Sequence, residues 1–138
     1  MRIPHSNLIC VLLVLFGISC QPEQYTVTPA FYHWQTHLQL APLERDAIRS
    51  LAVKRVYAKF FDVIWDGKQA VPTAQIKIDV NSIPDSIQIV PTIYITNKTM
   101  QQLADTTIDL LARRIIEKVT TLAAPLPPYH QWDELQID

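Results

Sequence analysis

An unbroken apolar stretch near the middle of the chain limits the possible folds more than any other feature. From Gln88 to Ile95 almost every position is apolar or β-branched. A strand with one face in water alternates apolar and polar residues, whereas a continuous run of this length is typical of a strand covered on both faces, as in parallel sheets. Pro91 weakens the prediction locally, because proline cannot donate a hydrogen bond to a neighbouring strand. We therefore expect a parallel sheet with helices between its strands.

Three further segments are predicted as strands of the same sheet. Ala30–Trp34 is rich in aromatic residues. Val56–Phe61 is β-branched and aromatic and ends at Asp62, and Glu134–Asp138 alternates polar and apolar residues. Together with the central segment they make about four parallel strands.

Two helices are predicted between these strands. Proline and acidic residues in the first turn indicate a helix of about three turns that begins at Pro42 and is closed by Lys54-Arg55. A second helix, from Thr99 to Leu122, is indicated by apolar residues three or four positions apart, which are Ala104, Ile108, Leu111, Ile115, Val119 and Leu122. Two strand, helix, strand units predict crossover connections and an α/β fold. Trp65–Pro84 instead combines a turn signal with strand-like alternation, so a hairpin-like insertion is expected there.

Length and composition exclude several classes of function. The 138 residues suit one domain. A formal net charge of -1 offers no basic surface for a phosphate backbone, so no nucleic-acid partner is expected. The two glycines, Gly17 and Gly67, exclude the glycine-rich loops that bind nucleotide phosphates.

The amino terminus has the pattern of an export segment. The apolar run Leu8–Ile18 is shorter than the roughly 20 residues that a membrane-spanning helix needs. It ends in Gly17-Ile18-Ser19-Cys20, which resembles the lipobox of bacterial lipoproteins. The expected organisation is a signal peptide over residues 1–19, a tether over 20–29 and an α/β domain over 30–138. Cleavage near Ser19 without lipidation, or an uncleaved anchor helix, are the alternatives.

The lipobox resemblance implies a location and a partner. Cys20 would be acylated, and the acyl chains would hold the protein on a lipid bilayer. Gln21 follows it in place of the aspartate that favours retention at the inner membrane in enterobacterial lipoproteins, so the expected location is the cell envelope, with the outer membrane preferred. Removal of Cys10 with the signal peptide would leave a single cysteine, which precludes a disulfide framework.

Several segments together resemble uncharacterised lipoproteins of the Bacteroidetes. They are Phe31-Tyr32-His33-Trp34, Arg55-Val56-Tyr57, Phe60-Phe61-Asp62-Val63 with Trp65-Asp66, Val90-Pro91 with Ile95-Thr96-Asn97, and Glu134–Asp138. Those proteins look like glycoside-hydrolase-type barrels that continue well beyond the point corresponding to Asp138. The resemblance implies a partial (β/α)8-type barrel with about four parallel strands, two crossover helices and a hairpin-like insertion.

In such a barrel the reacting groups lie at the carboxyl ends of the strands. Glycoside hydrolysis needs two carboxylates, and aromatic faces stack on sugar rings. The expected catalytic residues are Asp62 and Asp138. The expected substrate-binding residues are His33, Trp34, Lys59, Trp65 and Asn97. The alternative is structural, with Asp62 and Asp66 capping loops and the tryptophans packing under the insertion.

Lys59 lies in an apolar strand, where a buried ammonium group requires a partner. Glu134, Gln136 and Asp138 share one face of their strand by alternation, so an acid of that strand is the expected partner. Extension of Lys59 to a sheet edge is the alternative. His33 and His37 stand four positions apart without a third ligand, so neither a metal nor another cofactor is expected.

Two functions remain open from the sequence. The first is a membrane-anchored lipoprotein that carries the amino-terminal part of a glycoside-hydrolase-like barrel, inactive alone, with carbohydrate as its expected partner besides the bilayer. The second is a non-catalytic lipoprotein whose complete small α/β domain binds a glycan or a protein.

Overall fold

The computed structural model describes residues 27–130 and 132–138. The predicted signal peptide, Cys20 and most of the predicted tether lie outside these residues. Among the helices of the described ranges, none is long and apolar enough to cross a membrane.

The described residues form a mixed α/β domain. Its strands are β1 (Ala30–His33), β2 (His37–Leu38), β3 (Arg55–Trp65), β4 (Ala70–Thr73), β5 (Lys77–Ile78), β6 (Gln88–Ile95) and β7 (Gln136–Ile137). Its α-helices are α1 (Pro42–Ser50), α2 (Asn97–Gln102) and α3 (Ile108–Ala123). Short 3-10 helices cover Val80–Ser82, Asp105–Thr107 and Pro128–His130.

Four strands lie side by side in chain order, β1, β3, β6 and β7, and each pairs in parallel with the next. Helix α1 lies between β1 and β3 in the chain, and α3 lies between β6 and β7. The parallel sheet and the α/β class are therefore confirmed. The observed β6 has the bounds that the apolar run predicted.

The hydrophobic core lies on the face of the sheet that the helices cover. It contains sheet residues Val56, Ala58, Phe60, Phe61, Val63, Ile89 and Ile93 and helix residues Ile48, Ile115 and Val119. Val90 and Thr92 are equally buried but fall outside this cluster. They alternate with Ile89 and Ile93 along β6, so they lie on the opposite face.

Pro91 is accommodated within β6 although this strand has neighbours on both sides. Successive amides of a strand point to opposite neighbours, and the N–H of Ile95 donates to the carbonyl of Asp138 next to β7. The nitrogen of Pro91 therefore faces the β7 side as well. Pairing with β7 begins one residue later, at Thr92. No hydrogen bond between β6 and β7 therefore needs the N–H group that Pro91 lacks.

The predicted insertion contains a hairpin. β4 pairs antiparallel with the last residues of β3, from Asp62 to Trp65. The connecting turn is held by Asp66, whose Oδ1 accepts the backbone N–H groups of Lys68 at 2.8 Å and Gln69 at 2.9 Å. These backbone hydrogen bonds, with Gln69 the larger contributor, lower the pKa of Asp66 below its ordinary value. Asp66 thus has the loop-capping role that was the structural alternative.

The rest of the insertion has less strand than the alternation predicted. Only Lys77–Ile78 pairs, in parallel with His37–Leu38. Ala74 adopts a positive φ of 49°, which breaks the extended chain after β4. Ile76 then turns into the core, and its N–H donates to the carbonyl of Phe60 at 2.7 Å.

The single helix predicted from Thr99 to Leu122 is wrong, because the chain forms α2, a break and then α3. Leu103 at the end of α2 is extended, with ψ of 130°. Asp105-Thr106-Thr107 follow as a 3-10 turn, in which Thr107 Oγ1 donates to the carbonyl of Ala104. Short polar side chains of this kind favour turns over helix interiors. The periodic pattern holds from Leu111 onwards, where α3 faces the core.

Helix α1 ends in a Schellman motif. The N–H of Val53 donates to the carbonyl of Ile48, and the N–H of Ala52 donates to the carbonyl of Arg49. Val53 and Ile48 are both buried, which supplies the hydrophobic contact that accompanies this motif. Ala52 adopts the left-handed conformation, with φ of 51°.

We expect Ala52→Gly to raise the free energy of unfolding by about 1 kcal/mol, because glycine adopts a positive φ without the steric cost of a Cβ atom. Urea unfolding followed by circular dichroism measures the change. Ala47→Gly is the matched control inside α1 and should lower the free energy of unfolding by about 1 kcal/mol. A loss of stability in both variants would contradict the expectation.

Candidate functional site

A β-bulge in β3 determines which side chains reach the polar face of the sheet. Lys59 pairs with Thr92 and Phe61 pairs with Ile93, so Phe60 is the extra residue on β3. Phe60 and Phe61 are both buried in the core cluster. Without the bulge, adjacent residues would point to opposite faces. The extra residue therefore restores Asp62 to the face that carries Lys59.

Lys59 and Asp62 form an ion pair on this face. Nζ lies 3.0 Å from Oδ1 and 3.2 Å from Oδ2 of Asp62. The side chains are 16% and 19% exposed, so the pair is largely shielded from water. Oδ2 accepts the hydrogen bond, whereas the buried Oδ1 accepts none from the described residues. Lys59 therefore has the partner that its position requires, but that partner is on its own strand and not on the terminal strand.

Asp62 and Asp138 lie in one row across the sheet. Asp62 pairs with Tyr94. On the other side of Tyr94, the N–H of Asp138 donates to the carbonyl of Ile93 at 2.9 Å, and the N–H of Ile95 donates to the carbonyl of Asp138 at 2.8 Å. These two hydrogen bonds pair Asp138 in parallel with Tyr94. Two strand spacings separate the two aspartates, or about 10 Å between their backbones.

The row beneath consists of Lys59, Thr92 and Gln136, which are register partners on β3, β6 and β7. Thr92 is 1% exposed, and its Oγ1 has no hydrogen-bond partner among the described residues. A buried hydroxyl group in this condition is costly unless a ligand or water reaches it. The polar floor of the site therefore has unused hydrogen-bonding capacity.

Three aromatic rings line the same face beside these rows. Tyr32 stacks on Trp34 with ring centres 6.0 Å apart and on Tyr57 with ring centres 4.9 Å apart. Trp34 is 46% exposed and Tyr32 is 50% exposed, so both side chains are accessible to a ligand. Tyr94, in the aspartate row, is also exposed. Flat, partly exposed rings beside hydrogen-bonding groups are suited to stacking on sugar rings.

A hydrogen-bonded network underlies the aromatic rings. Glu134 accepts from Arg55 at 2.8 Å and from the hydroxyl of Tyr57 at 2.9 Å. The hydroxyl of Tyr32 donates to Oε1 of Gln136 at 3.0 Å. The hydrogen bond to Glu134, aided by burial, raises the pKa of Tyr57 above its ordinary value, although Arg55 opposes the shift. These contacts connect β1 and β3 to the terminal segment.

The site residues that the sequence missed belong to this network. Tyr32, Tyr57 and Arg55 were not predicted to have a functional role. Alternation was the available signal, because Arg55, Tyr57 and Lys59 occupy every second position of β3. The sequence predicted that Glu134, Gln136 and Asp138 share one face of their strand. The hydrogen bonds that Glu134 and Gln136 accept from Tyr57 and Tyr32 agree with this prediction.

Three of the predicted binding residues lie elsewhere. His33 pairs with Ala58, which belongs to the core face, and its Nε2 lies 3.1 Å from the carbonyl of His37. Trp65 follows Phe61 and Val63 on the helix-covered face and lines a separate cleft. Asn97 begins α2 and is exposed. Trp34 and Lys59 are therefore the predicted binding residues that the structure brings to the face of Asp62.

Within the two described ranges, no group of three or more His, Cys, Asp or Glu side chains is arranged to hold a metal ion. The polar face carries carboxylates, an ammonium and a guanidinium group, a hydroxyl group, an amide and aromatic rings. No family model matches this chain, and no curated protein or solved structure is significantly similar to it.

We expect the Lys59–Asp62 pair to show a coupling energy of about 1 to 2 kcal/mol in a double-mutant cycle of Lys59→Met and Asp62→Asn, since each single change leaves a shielded polar group without its partner. Urea unfolding of the two single variants and the double variant measures it. The exposed helix pair Asp46 and Arg49 is the matched control, with an expected coupling below about 0.5 kcal/mol. Equal coupling in the two cycles would show that the bulge does not create a shielded pair.

Proposed function

We propose that this chain is an envelope lipoprotein that presents the polar face of its sheet to carbohydrate, and that its domain is the amino-terminal part of a glycoside-hydrolase-like barrel, inactive alone. The observation that carries the proposal is the combination, on one sheet face, of exposed stacked rings with a row of carboxylates and hydrogen-bonding groups. Sugars offer apolar ring faces and many hydroxyl groups, and this surface complements both.

The sheet supports the barrel part of the proposal. Successive parallel strands are neighbours in a (β/α)8 barrel, helices cover the outside, and layers of side chains fill the inside. β1, β3, β6 and β7 follow that order, and the helices cover the face with the hydrophobic core. The opposite face carries rows of side chains in register, such as Lys59, Thr92 and Gln136. Further strands beside β1 and β7 would enclose these rows.

Asp62 and Asp138 are the proposed catalytic carboxylates of the complete barrel. Inverting glycosidases hold their two carboxyl groups about 6.5 to 9.5 Å apart, and retaining enzymes about 5 to 5.5 Å apart. Backbones two strand spacings apart, with side chains on the same face, are compatible with the wider arrangement. An inverting reaction is therefore the one that we propose for these two residues. Trp34 and Tyr32 would hold the sugar rings beside them.

The second candidate function is carbohydrate binding without catalysis. Its supporting observation is the ion pair, because Nζ of Lys59 lies 3.0 Å from Oδ1 of Asp62 and donates a hydrogen bond to Oδ2 at 3.2 Å. A carboxylate occupied in this way serves better as a fixed hydrogen-bond acceptor than as a group that transfers protons. Hydrolysis by a longer chain distinguishes the two candidates, since binding alone leaves the glycan intact.

We expect the full chain to bind neutral oligosaccharides through Trp34, with Trp34→Ala weakening binding about fivefold to tenfold because a stacking face is lost. Isothermal titration calorimetry with six-residue oligomers of glucose, xylose and mannose measures the affinity. Phe31→Ala is the matched control, since Phe31 is similarly exposed and lies on β1, but pairs with the core residue Val56 and so lies on the opposite face of the sheet. Absence of saturable binding, or equal losses in both variants, would refute carbohydrate as the partner.

The proposed anchor is acylated Cys20, and the outer membrane is the proposed location because Gln21, not aspartate, follows this cysteine. Growth with radiolabelled palmitate should label the wild-type chain and the Cys10→Ala variant but not Cys20→Ala, because only the thiol of Cys20 follows the lipobox pattern. Membrane fractionation then measures the location. Label retained in Cys20→Ala would contradict lipidation at this residue while leaving the carbohydrate proposal to its own test.

A further inference from the structure

Trp65 has no role on the polar face, because it lies in a cleft on the other side of the sheet. This cleft has a volume of about 280 Å³ and lies between the β3–β4 hairpin and helices α2 and α3. Trp65, Leu103, Leu110 and Leu111 supply most of its apolar lining. Leu110 is 49% exposed, so a large apolar side chain faces solvent at the cleft. Such an apolar concavity is the usual form of a small-molecule site.

The charged groups of the cleft have one sign. Lys68 from the hairpin turn and Arg114 from α3 both line it, and no described acidic residue does. Neither cation forms an ion pair with any part of the chain that the structure describes. The backbone of Lys68 is held in place by its hydrogen bond to Asp66. Two unpaired cations at an apolar cleft complement a ligand that is both apolar and anionic.

We propose that this cleft binds a small aromatic carboxylate. The ring of the ligand would pack on the indole of Trp65 and on the leucine side chains, and the carboxylate would be held between Lys68 and Arg114. The guanidinium group matches a carboxylate in a bidentate geometry, and its planar face favours an aromatic neighbour. An aromatic body suits Trp65 better than an alkyl chain because stacked rings gain energy beyond the area that they bury. The inference does not depend on the carbohydrate function, since the two sites lie on opposite faces of the sheet.

The test uses the full chain in dodecylmaltoside micelles, titrated calorimetrically with 2-naphthoate, with protein-free micelles as the blank. We expect saturable binding that Arg114→Gln and Lys68→Gln each weaken about fivefold to tenfold, because each removes one charge-assisted contact. Arg113→Gln is the matched control, since Arg113 is adjacent on α3, equally charged and outside the cleft. It should change the affinity less than about twofold. The neutral analogue 2-naphthamide should bind at least about tenfold more weakly than the carboxylate.

Several results would overturn the proposal. They are the absence of saturable binding, equal effects of the Arg113 and Arg114 variants, and equal affinities for the acid and the amide. Tighter binding of decanoate than of 2-naphthoate would overturn the aromatic class by showing a preference for alkyl chains. All the variants lie at exposed positions, so thermal unfolding should leave each melting temperature close to that of the wild type. Trp34→Ala should leave naphthoate binding unchanged, which separates this site from the carbohydrate face.

Discussion

The extra residue at Phe60 is the constraint on which the rest of the structure depends. In a regular strand Lys59 and Asp62 would point to opposite faces, and so would Phe60 and Phe61. The bulge instead sends both phenyl rings into the core and both charges to the opposite face. It lies between the part of β3 that pairs with β1 and the part that pairs with β4. The single extra residue in β3 therefore determines the packing of the two phenyl rings and the position of the ion pair, and it lies where the neighbouring strand changes from β1 to β4.

The two faces of the sheet consequently differ in chemistry. The helix-covered face is apolar, and the exposed cleft at Trp65 lies on that side, at the end of β3. The other face is held by side-chain hydrogen bonds, in which Tyr57 and Arg55 meet Glu134 and Tyr32 meets Gln136. These bonds span three or four strands. On the same face Val90, the register partner of Tyr57, is fully buried without belonging to the hydrophobic core. The polar face is thus ordered by contacts distant in sequence.

The sheet could be predicted from the sequence because its signals are local. The apolar run of β6 and the recurring apolar residues of α3 each lie within one segment, and burial of that segment explains them. The break after α2 was missed because Ala104 and Ile108 fit the helical pattern, while the competing preference of Asp105-Thr106-Thr107 for a turn is weaker in the sequence. The side chains of Glu134 and Gln136 were assigned to the same face of the terminal segment as the structure shows, because alternation determines the face of each side chain once a strand is recognised.

The candidate site was predicted less completely, because the bulge in β3 changes which face of the sheet each later side chain of that strand occupies. Two adjacent aromatic residues between two charged ones, Lys59-Phe60-Phe61-Asp62, are the sequence signature that a bulge leaves. Reading that signature would have paired Lys59 with Asp62 instead of with a distant acid. Trp65 was assigned to the site by its position at a strand end alone, although it stands three positions from Asp62, and this odd spacing places it on the other face. Register, more than residue type, decides which of the predicted residues lie on one face of the sheet.

Pro91 limits the register in which the terminal segment can pair with β6. If the terminal segment paired with β6 two residues nearer the start of β6, its side chains would stay on the same faces. One of its backbone carbonyls would then lie opposite the ring nitrogen of Pro91, which carries no hydrogen and cannot donate a hydrogen bond. That misaligned arrangement loses a hydrogen bond, whereas the observed pairing from Thr92 upwards loses none at this position. A single imino acid thereby biases the last strand against slippage and holds Asp138 level with Asp62.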